Sequence, residues 1–211
     1  MTEQLLFLFD LTGTIAFAIS GALTGVRKKM DVFGIIFLAV TTACGGGLLR
    51  DLVLGDVPPR MFRNPFFVTV AALVGAAVFV LAYCHRHMPV RFTQLYERTL
   101  FWFDTLGLAA FTVDGVMIGV EDGFARSAFL LVFVGFLTGV GGGVLRDVLS
   151  DQIPDIFIKH IYALAAIAGG LCLVLTYRLG ASWHLAMIAG FLLVLVLRIL
   201  AAGFRWNLPR V

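Results

Sequence analysis

Seven long apolar stretches dominate this sequence and limit the folds that it can adopt. A helix needs about 20 mainly apolar residues to cross the hydrocarbon core of a bilayer. Such stretches occur at residues 5–23, 32–53, 65–83, 99–120, 126–149, 159–177 and 183–204. Hydrophobic residues make up 60% of the chain, which is more apolar surface than one water-soluble core of this size could bury. The sequence therefore predicts an all-α membrane protein with seven transmembrane helices, in contact with membrane lipid.

The distribution of basic residues predicts how these spans are oriented. An odd number of spans places the two termini on opposite sides of the membrane. One side holds five of the 16 lysines and arginines, namely Arg50, Arg60, Arg63, Arg126 and Arg178, and the other side holds the remaining eleven. Cytoplasmic loops carry the excess of such residues, so we predict a cytoplasmic C-terminus and an N-terminus outside. The basic residues form short clusters between apolar runs, so no nucleic-acid partner is expected.

Two parts of the chain repeat the same residues in the same order. The first set recurs 94 positions further along: Phe9, Asp10, Gly13, Phe17 and Gly21 correspond to Phe103, Asp104, Gly107, Phe111 and Gly115. The second set recurs 96 positions further along: GGG at 45–47, LRD at 49–51 and Pro58 correspond to GGG at 141–143, LRD at 145–147 and Pro154. So many matches in order indicate a duplicated unit.

Each unit contains three spans, and because three is odd, the second copy must enter the membrane from the opposite side. We therefore predict an inverted 3+3 repeat, with a first three-helix repeat at residues 1–90 and a second at residues 91–180. The seventh helix and the C-terminal tail follow at residues 181–211. In membrane proteins such repeats typically surround a pathway near the midplane.

Each repeat carries three consecutive glycines inside an apolar span. They are Gly45, Gly46, Gly47, Gly141, Gly142 and Gly143. Each costs about 1 kcal/mol of helix propensity relative to alanine, so a compensating role is expected. The glycines could permit close helix packing, but their matched positions favour a kink or break in helices two and five. A break frees backbone groups that only protein or water can satisfy at membrane depth, which predicts a hydrated cavity.

Several ionisable residues lie in or beside the spans. They are Arg50, Asp51, Arg146 and Asp147 after the triplets, and Asp10, Asp104 and Asp114 in helices one and four. The arginine-aspartate pairs either anchor the helices at the interface or face the interior. A carboxylate in an apolar span needs a cation, a donor or water, so we predict pore or gate charges. Asp10 or Asp104 would pair with Arg146 or Arg50, and the sequence leaves the choice open.

Three hydroxyl side chains are candidates to replace water around a passing ion, namely those of Ser20, Thr42 and Thr138. Serine and threonine hydroxyls in helices, however, often bond back to a carbonyl of their own helix.

Enzymatic chemistry has no support in the sequence. The glycine triplets lack the Lys-Ser/Thr of a phosphate-binding loop, and there is no nucleophile elbow or zinc signature. Neither an enzyme nor a metal site is therefore predicted.

With these motifs the sequence resembles prokaryotic members of the trimeric intracellular cation (TRIC) channel family. The motifs are GGGLLRDLVLGDVPP at 45–59 and GGGVLRDVLSDQIP at 141–154, within two three-helix units that precede a seventh helix. The resemblance extends over nearly the whole chain. It implies a homotrimer in the bacterial inner membrane, with one hydrophilic pore per protomer and helices two and five kinked at the triplets. It also implies conduction of monovalent cations, above all potassium, with no cofactor besides the permeant K⁺ or Na⁺.

The chain departs from the animal channels, because it lacks their Lys-Glu-Val element and has an arginine after its first triplet. Lipid regulation and a calcium counter-ion role are therefore not inferred. The same bacterial family also carries a glycine-transporter label. A transporter would give the arginines a role, since they could bind the carboxylate of a small zwitterionic substrate. A purely structural scaffold would explain the glycines but not the repeated Arg-Asp pairs. The channel is our leading hypothesis and the transporter of a small zwitterion its alternative.

Overall fold

The computed structural model describes residues 2–84, 92–158, 161–204 and 206, and within these residues the chain is helical and has no β-strand. The helices are α1 (Thr2–Arg27), α2 (Val32–Leu54), α3 (Arg60–Arg63), α4 (Phe66–Cys84), α5 (Phe92–Gly119), α6 (Ala128–Leu149), α7 (Asp155–Ile158), α8 (Tyr162–Arg178) and α9 (Trp183–Gly203). A π-helical turn, Val120–Phe124, ends α5. Among the described residues, α1, α2, α4, α5, α6 and α9 are the six helices that are long and apolar enough to cross a membrane.

The predicted spans and the helices differ mainly at α5 and α8. The span predicted at 99–120 lies within a longer helix, since α5 already begins at Phe92. The sixth predicted span, 159–177, coincides with α8, which is apolar but has only 17 residues. Residues 159 and 160, the predicted repeat boundary at 90/91 and most of the C-terminal tail lie outside the described residues.

Four helices, α1, α2, α5 and α6, form the centre of the molecule. Helix α1 packs against α2 and α5, and α6 packs against the same two helices. Helix α4 covers α1 and α2 on one flank, while α8 covers α5 and α6 on the other, with α9 packed against α8 and α5. This arrangement buries polar residues of the central helices between apolar flanks.

Local signals in the sequence explain where α2 and α6 begin. The side chain of Asp31 accepts a hydrogen bond from the Gly34 amide, and Ser127 accepts one from the Leu130 amide, as helix N-caps do. Helix α2 ends at Leu54 and is capped by Gly55, whose φ of 77° lies in the left-handed region that glycine adopts without strain. A short helix follows each long one, α3 after α2 and α7 after α6.

Two phenylalanines fill the middle of the central four-helix group. The rings of Phe17 and Phe111 meet edge to face with centroids 5.2 Å apart. Each ring also lies against a glycine of the opposite helix, Phe111 against Gly13 and Phe17 against Gly107, where a Cβ would collide with the ring. Helices α1 and α5 therefore approach closely through interlocking pairs of a glycine and an aromatic ring.

Candidate functional site

The glycine triplets lie where α2 and α6 cross. A Cβ built on Gly46 would overlap the carbonyl oxygen of Thr138, and one built on Gly142 would overlap the carbonyl oxygen of Thr42. The backbones of the two helices are thus in contact through their glycines, which is the close packing that small residues permit in membranes. The chain remains helical through both triplets, so the predicted break in the helices is absent. A bend of the helix axes there stays a prediction.

Arg50 lies at the end of α2 and is only 6% exposed. Its guanidinium donates to Asp114 Oδ2 of α5 from Nη1 at 2.7 Å and to Asp51 Oδ1 from Nε at 2.9 Å. The second oxygen of Asp51 accepts the amide of Arg60 at 2.8 Å, at the start of α3. Arg50 therefore faces the interior, and the alternative of interfacial anchoring does not apply to it. We call Arg50, Asp51, Asp114 and the adjacent Asp10 the first-half cluster.

Arg146 occupies the equivalent place at the end of α6 and is 2% exposed. It pairs with Asp104 Oδ1 at 2.8 Å and with Asp147 Oδ1 at 2.8 Å, and it donates to the Ser20 hydroxyl. Asp147 also accepts the amide of Asp155 at 2.9 Å, at the start of α7. In both halves the aspartate that follows the arginine thus fixes the chain after the long helix.

The structure pairs the arginines with different carboxylates in the two halves. Arg146 contacts Asp104, which is one of the pairings that the sequence left open, whereas Arg50 contacts Asp114 rather than Asp10. By the offset of 94 residues, Ser20 is the counterpart of Asp114. Arg146 thus contacts both equivalent positions, Asp104 and Ser20, whereas Arg50 contacts Asp114 alone of its corresponding pair, Asp10 and Asp114.

Sequence reasoning missed Arg198 of α9, which it counted only among the basic residues of the cytoplasmic side. Arg198 is 3% exposed, and its Nη2 lies 3.6 Å from Asp104 Oδ2. Its guanidinium also lies over the rings of Tyr162 and Phe101, 4.6 and 5.1 Å from their centroids. The signal was a single charge inside a long apolar run, which membrane proteins rarely tolerate without a partner. We call Arg146, Asp104, Asp147 and Arg198 the second-half cluster.

A cavity of about 570 Å³ opens beside the first-half cluster. It reaches from the residues around α3 down to Gly47, Thr138 and Phe111, near the crossing of α2 and α6. Five aspartates and three arginines line it: Asp10, Asp51, Asp56, Asp114 and Asp122, and Arg50, Arg60 and Arg63. The lining thus has a formal surplus of negative charge, which favours cations over anions.

A network of ion pairs surrounds the mouth of this cavity. Arg60 contacts Asp56 at 3.1 Å, Asp122 at 2.6 Å and Glu121 at 3.6 Å, and so joins α3 to the turn between α5 and α6. Arg63 also bonds to Asp56. This hydrogen bond is the main cause that lowers the pKa of the Asp56 carboxyl below its usual value, so Asp56 remains charged at neutral pH.

The three candidate hydroxyls lie in different surroundings. Thr138 lines the cavity, although its hydroxyl donates to the Val134 carbonyl of its own helix at 2.6 Å. Thr42 makes the same bond to Leu38 and is fully buried. Ser20 accepts from Arg146. Of these three hydroxyl residues, the structure therefore places Thr138 in the cavity wall and uses the other two in packing and in the second-half cluster.

Comparison with protein families and curated proteins gives a consistent set of relatives. The chain matches a family model described as glycine transporter twice, over residues 7–83 and 101–178. A UPF0126 membrane protein from Deinococcus radiodurans is 40% identical over 199 residues, which cover 90% of this chain and 84% of the relative. The UPF0126 inner membrane protein YadS of Escherichia coli is 36% identical over 208 residues, which cover 97% and 94%.

Solved structures match over nearly the whole chain. The TRIC trimeric intracellular cation channel orthologue from Rhodobacter sphaeroides is 34% identical and has a TM-score of 0.84, and the match covers 97% of this chain and 99% of that one. A prokaryotic TRIC channel crystallised in 0.5 M KCl is 30% identical, with a TM-score of 0.85 and coverage of 98% and 100%. A third structure, from work on conductance through TRIC cation channels, is 36% identical, with a TM-score of 0.81 and coverage of 96% and 95%.

Proposed function

This chain belongs to the UPF0126 family of membrane proteins, and from that membership and its likeness to prokaryotic TRIC structures we propose that it is a monovalent cation channel that prefers potassium. The observation that carries the proposal is the cavity beside Arg50, where five aspartates oppose three arginines and the lining reaches the centre of the molecule. A hydrated cation needs such a polar path with a favourable field and with ligands weak enough to release it.

The buried arginine is compatible with cation passage because its charge is already neutralised. Arg50 is held by Asp114 and Asp51 at hydrogen-bond distances, and a charge that is paired this closely contributes little net repulsion at a distance. The same pairing argues against the glycine-transporter alternative. An arginine that binds a substrate carboxylate needs free donors that face the substrate, whereas every guanidinium nitrogen of Arg50 and of Arg146 already contacts an aspartate.

We propose that the chain crosses the membrane seven times, with α8 as the sixth span, and that its halves form an inverted repeat. The contacts at the two ends of the molecule support this. Arg60, after α2, pairs with Asp122 in the connection between α5 and α6. Lys28, in the connection between α1 and α2, donates to the carbonyl of Asp151 after α6. The ends of α2 and α6 therefore point in opposite directions.

The assembly that we propose is a homotrimer in the bacterial inner membrane, with one pore in each protomer and lipid around the outer helices. The names of the solved relatives describe trimeric channels, and large side chains such as Phe33 and Phe129 are 73% and 81% exposed on the protomer surface. Apolar surface of this kind is satisfied by lipid or by neighbouring protomers. The N-terminus and the mouth of the cavity would face outward, on the side that has fewer basic residues.

Recording from purified protein in a planar bilayer with a potassium gradient tests this function, with radioactive glycine uptake into liposomes measured on the same preparation. We expect discrete ohmic currents that reverse near the potassium equilibrium potential, and no glycine accumulation. Saturable glycine accumulation without unitary currents would contradict the channel and support the transporter.

A further inference from the structure

We propose that the rings of Phe17 and Phe111 form an apolar barrier inside the pathway, between the cavity and the second-half cluster, an inference that rests on the proposed channel function. Apolar constrictions close pores by dewetting, because water withdraws from them and a hydrated ion cannot enter without it. An ion would therefore pass only when the two rings part or when water enters between them.

The position of Phe17 along α1 supplies the first observation. Asp10 and Thr14, which precede it in α1, line the cavity, whereas Ser20, which follows it, accepts a hydrogen bond from Arg146 of the second-half cluster. An α-helix rises about 1.5 Å per residue, so Ser20 lies only about 4.5 Å further along α1 than Phe17. Helix α1 therefore passes from one polar region to the other at this ring.

Helix α5 makes the same passage in the opposite order. Asp104 pairs with Arg146 at 2.8 Å, Phe111 follows two turns later, and Asp114 lines the cavity one turn beyond it. Phe111 is itself part of the cavity lining and is 5% exposed, while Phe17 is fully buried. Because the two rings are in contact, Phe111 ends the cavity and Phe17 continues the closure toward the second-half cluster.

The groups around the two rings are apolar as well. Phe17 also packs against Gly142 of α6, where a Cβ would lie 3.1 Å from the ring. Leu145 of α6 packs against Gly45 of α2 at the crossing of these helices. These side chains offer neither a charge nor a hydroxyl group to replace the water around an ion. An ion that left the cavity here would lose its water without gaining ligands, which is costly.

Reaction of Ag⁺ with an introduced thiol beyond the rings tests the barrier without requiring conduction. Ag⁺ is a monovalent cation that binds cysteine thiolates, as soft metal ions do. The probe is Ser20→Cys in a protein whose three native cysteines are replaced by alanine. The protein is reconstituted in liposomes, and Ag⁺ is added on the side of the cavity mouth. The thiols that have not reacted are then counted with a maleimide after denaturation.

Phe111→Asn and Phe111→Leu are the matched variants, since they replace the ring with side chains of similar size and opposite polarity. We expect Phe111→Asn to speed the reaction of the Ser20→Cys thiol about tenfold, which corresponds to a barrier lowered by about 1.4 kcal/mol. Phe111→Leu keeps the site apolar and should change the rate far less.

The control is a protein that retains Cys44 as its only thiol. Cys44 lines the cavity and so lies on the near side of the rings, where neither substitution of Phe111 should alter its reaction with Ag⁺. The extent of the Cys44 reaction also corrects for the orientation of the protein in the liposomes.

Phe17→Asn and Phe17→Leu repeat the comparison at the other ring, and they are decisive if Phe111→Asn does not elute as the wild-type oligomer. Equal rates in Phe111→Asn and in the protein with both rings would overturn the barrier, while potassium currents would leave the channel standing. Equal acceleration by Phe111→Asn and Phe111→Leu would also overturn it, since the ring would then act by its size. Acceleration by Phe111→Asn alone, in a protein that carries no current, would support the barrier while the proposed channel function failed.

Discussion

Replacing Gly46 or Gly142 with alanine is expected to destabilise the protein by about 3 kcal/mol, at the upper end of the usual cost of overpacking. The added Cβ would overlap the carbonyl oxygen of Thr138 or of Thr42, respectively. A flexible side chain could move away from a new methyl group, but a backbone carbonyl within a helix cannot move without shifting the helix. Helices α2 and α6 would have to separate, and the packing around both buried arginines would change with them.

Thermal unfolding in detergent, followed by size-exclusion chromatography of the surviving oligomer, measures this effect. We expect a fall in the midpoint on the order of 10 °C. The matched control is Gly203→Ala in α9, where a Cβ would meet no atom within 4 Å, so the substitution should leave the midpoint unchanged or raise it slightly. A Gly46→Ala protein as stable as wild type would show that the two backbones are not in contact.

Replacing Arg146 with methionine is expected to cost about 3–5 kcal/mol, the usual consequence of removing one member of a buried ion pair. The charges of Asp104 and Asp147 would lose the bonds at 2.8 Å that now compensate them, in a site where Arg146 itself is only 2% exposed. The loss should appear as a lower thermal midpoint and as less of the folded oligomer after purification.

The double variant Arg146→Met/Asp147→Asn separates the charge effect from the loss of packing. It removes the Asp147 carboxylate, which Arg146 compensates at 2.8 Å, whereas Asp104 would still face Arg198 at 3.6 Å. The double variant should therefore be more stable than Arg146→Met alone. Arg63→Met is the control for a half-exposed arginine at the cavity mouth, and its cost should stay below about 1 kcal/mol. If Arg146→Met were as mild as Arg63→Met, the buried pairing of Arg146 would be wrong.

The long helices were predictable because the apolar runs are long enough to cross a bilayer, and six of the described helices have that length. The residues at which the helices begin and end were less predictable. The sequence showed α8 as an apolar run like the others, but its helix has 17 residues, with Ile161 in a left-handed conformation just before it. Likewise, α5 extends to Phe92, through residues such as Arg98 whose polarity excluded them from the predicted span. Hydropathy identifies what lies in lipid, whereas helix ends depend on local backbone geometry.

The candidate site was predictable in its residue types and not in its partnerships. The repeated Arg-Asp pairs and the aspartates in apolar spans pointed to buried charges, since such charges need partners. The choice of Asp114 over Asp10 for Arg50 depends on the three-dimensional approach of α2 to α5, which the sequence order does not contain. The glycines illustrate the same limit. Their cost in helix propensity was evident, but the contact between the α2 and α6 backbones that offsets it appears only in the fold.

The central claim is that cations cross through the cavity beside Arg50, and the native thiol of Cys44, which lines that cavity, tests it most directly. A positively charged methanethiosulfonate reagent, added to the side of the cavity mouth, should attach a cation there and block the potassium current. The Cys44→Ala channel should be insensitive to it, since Cys84 and Cys172 lie on the outer helices α4 and α8. Block that persists in Cys44→Ala, or an unaltered current after Cys44 has been fully modified, would contradict the proposed path.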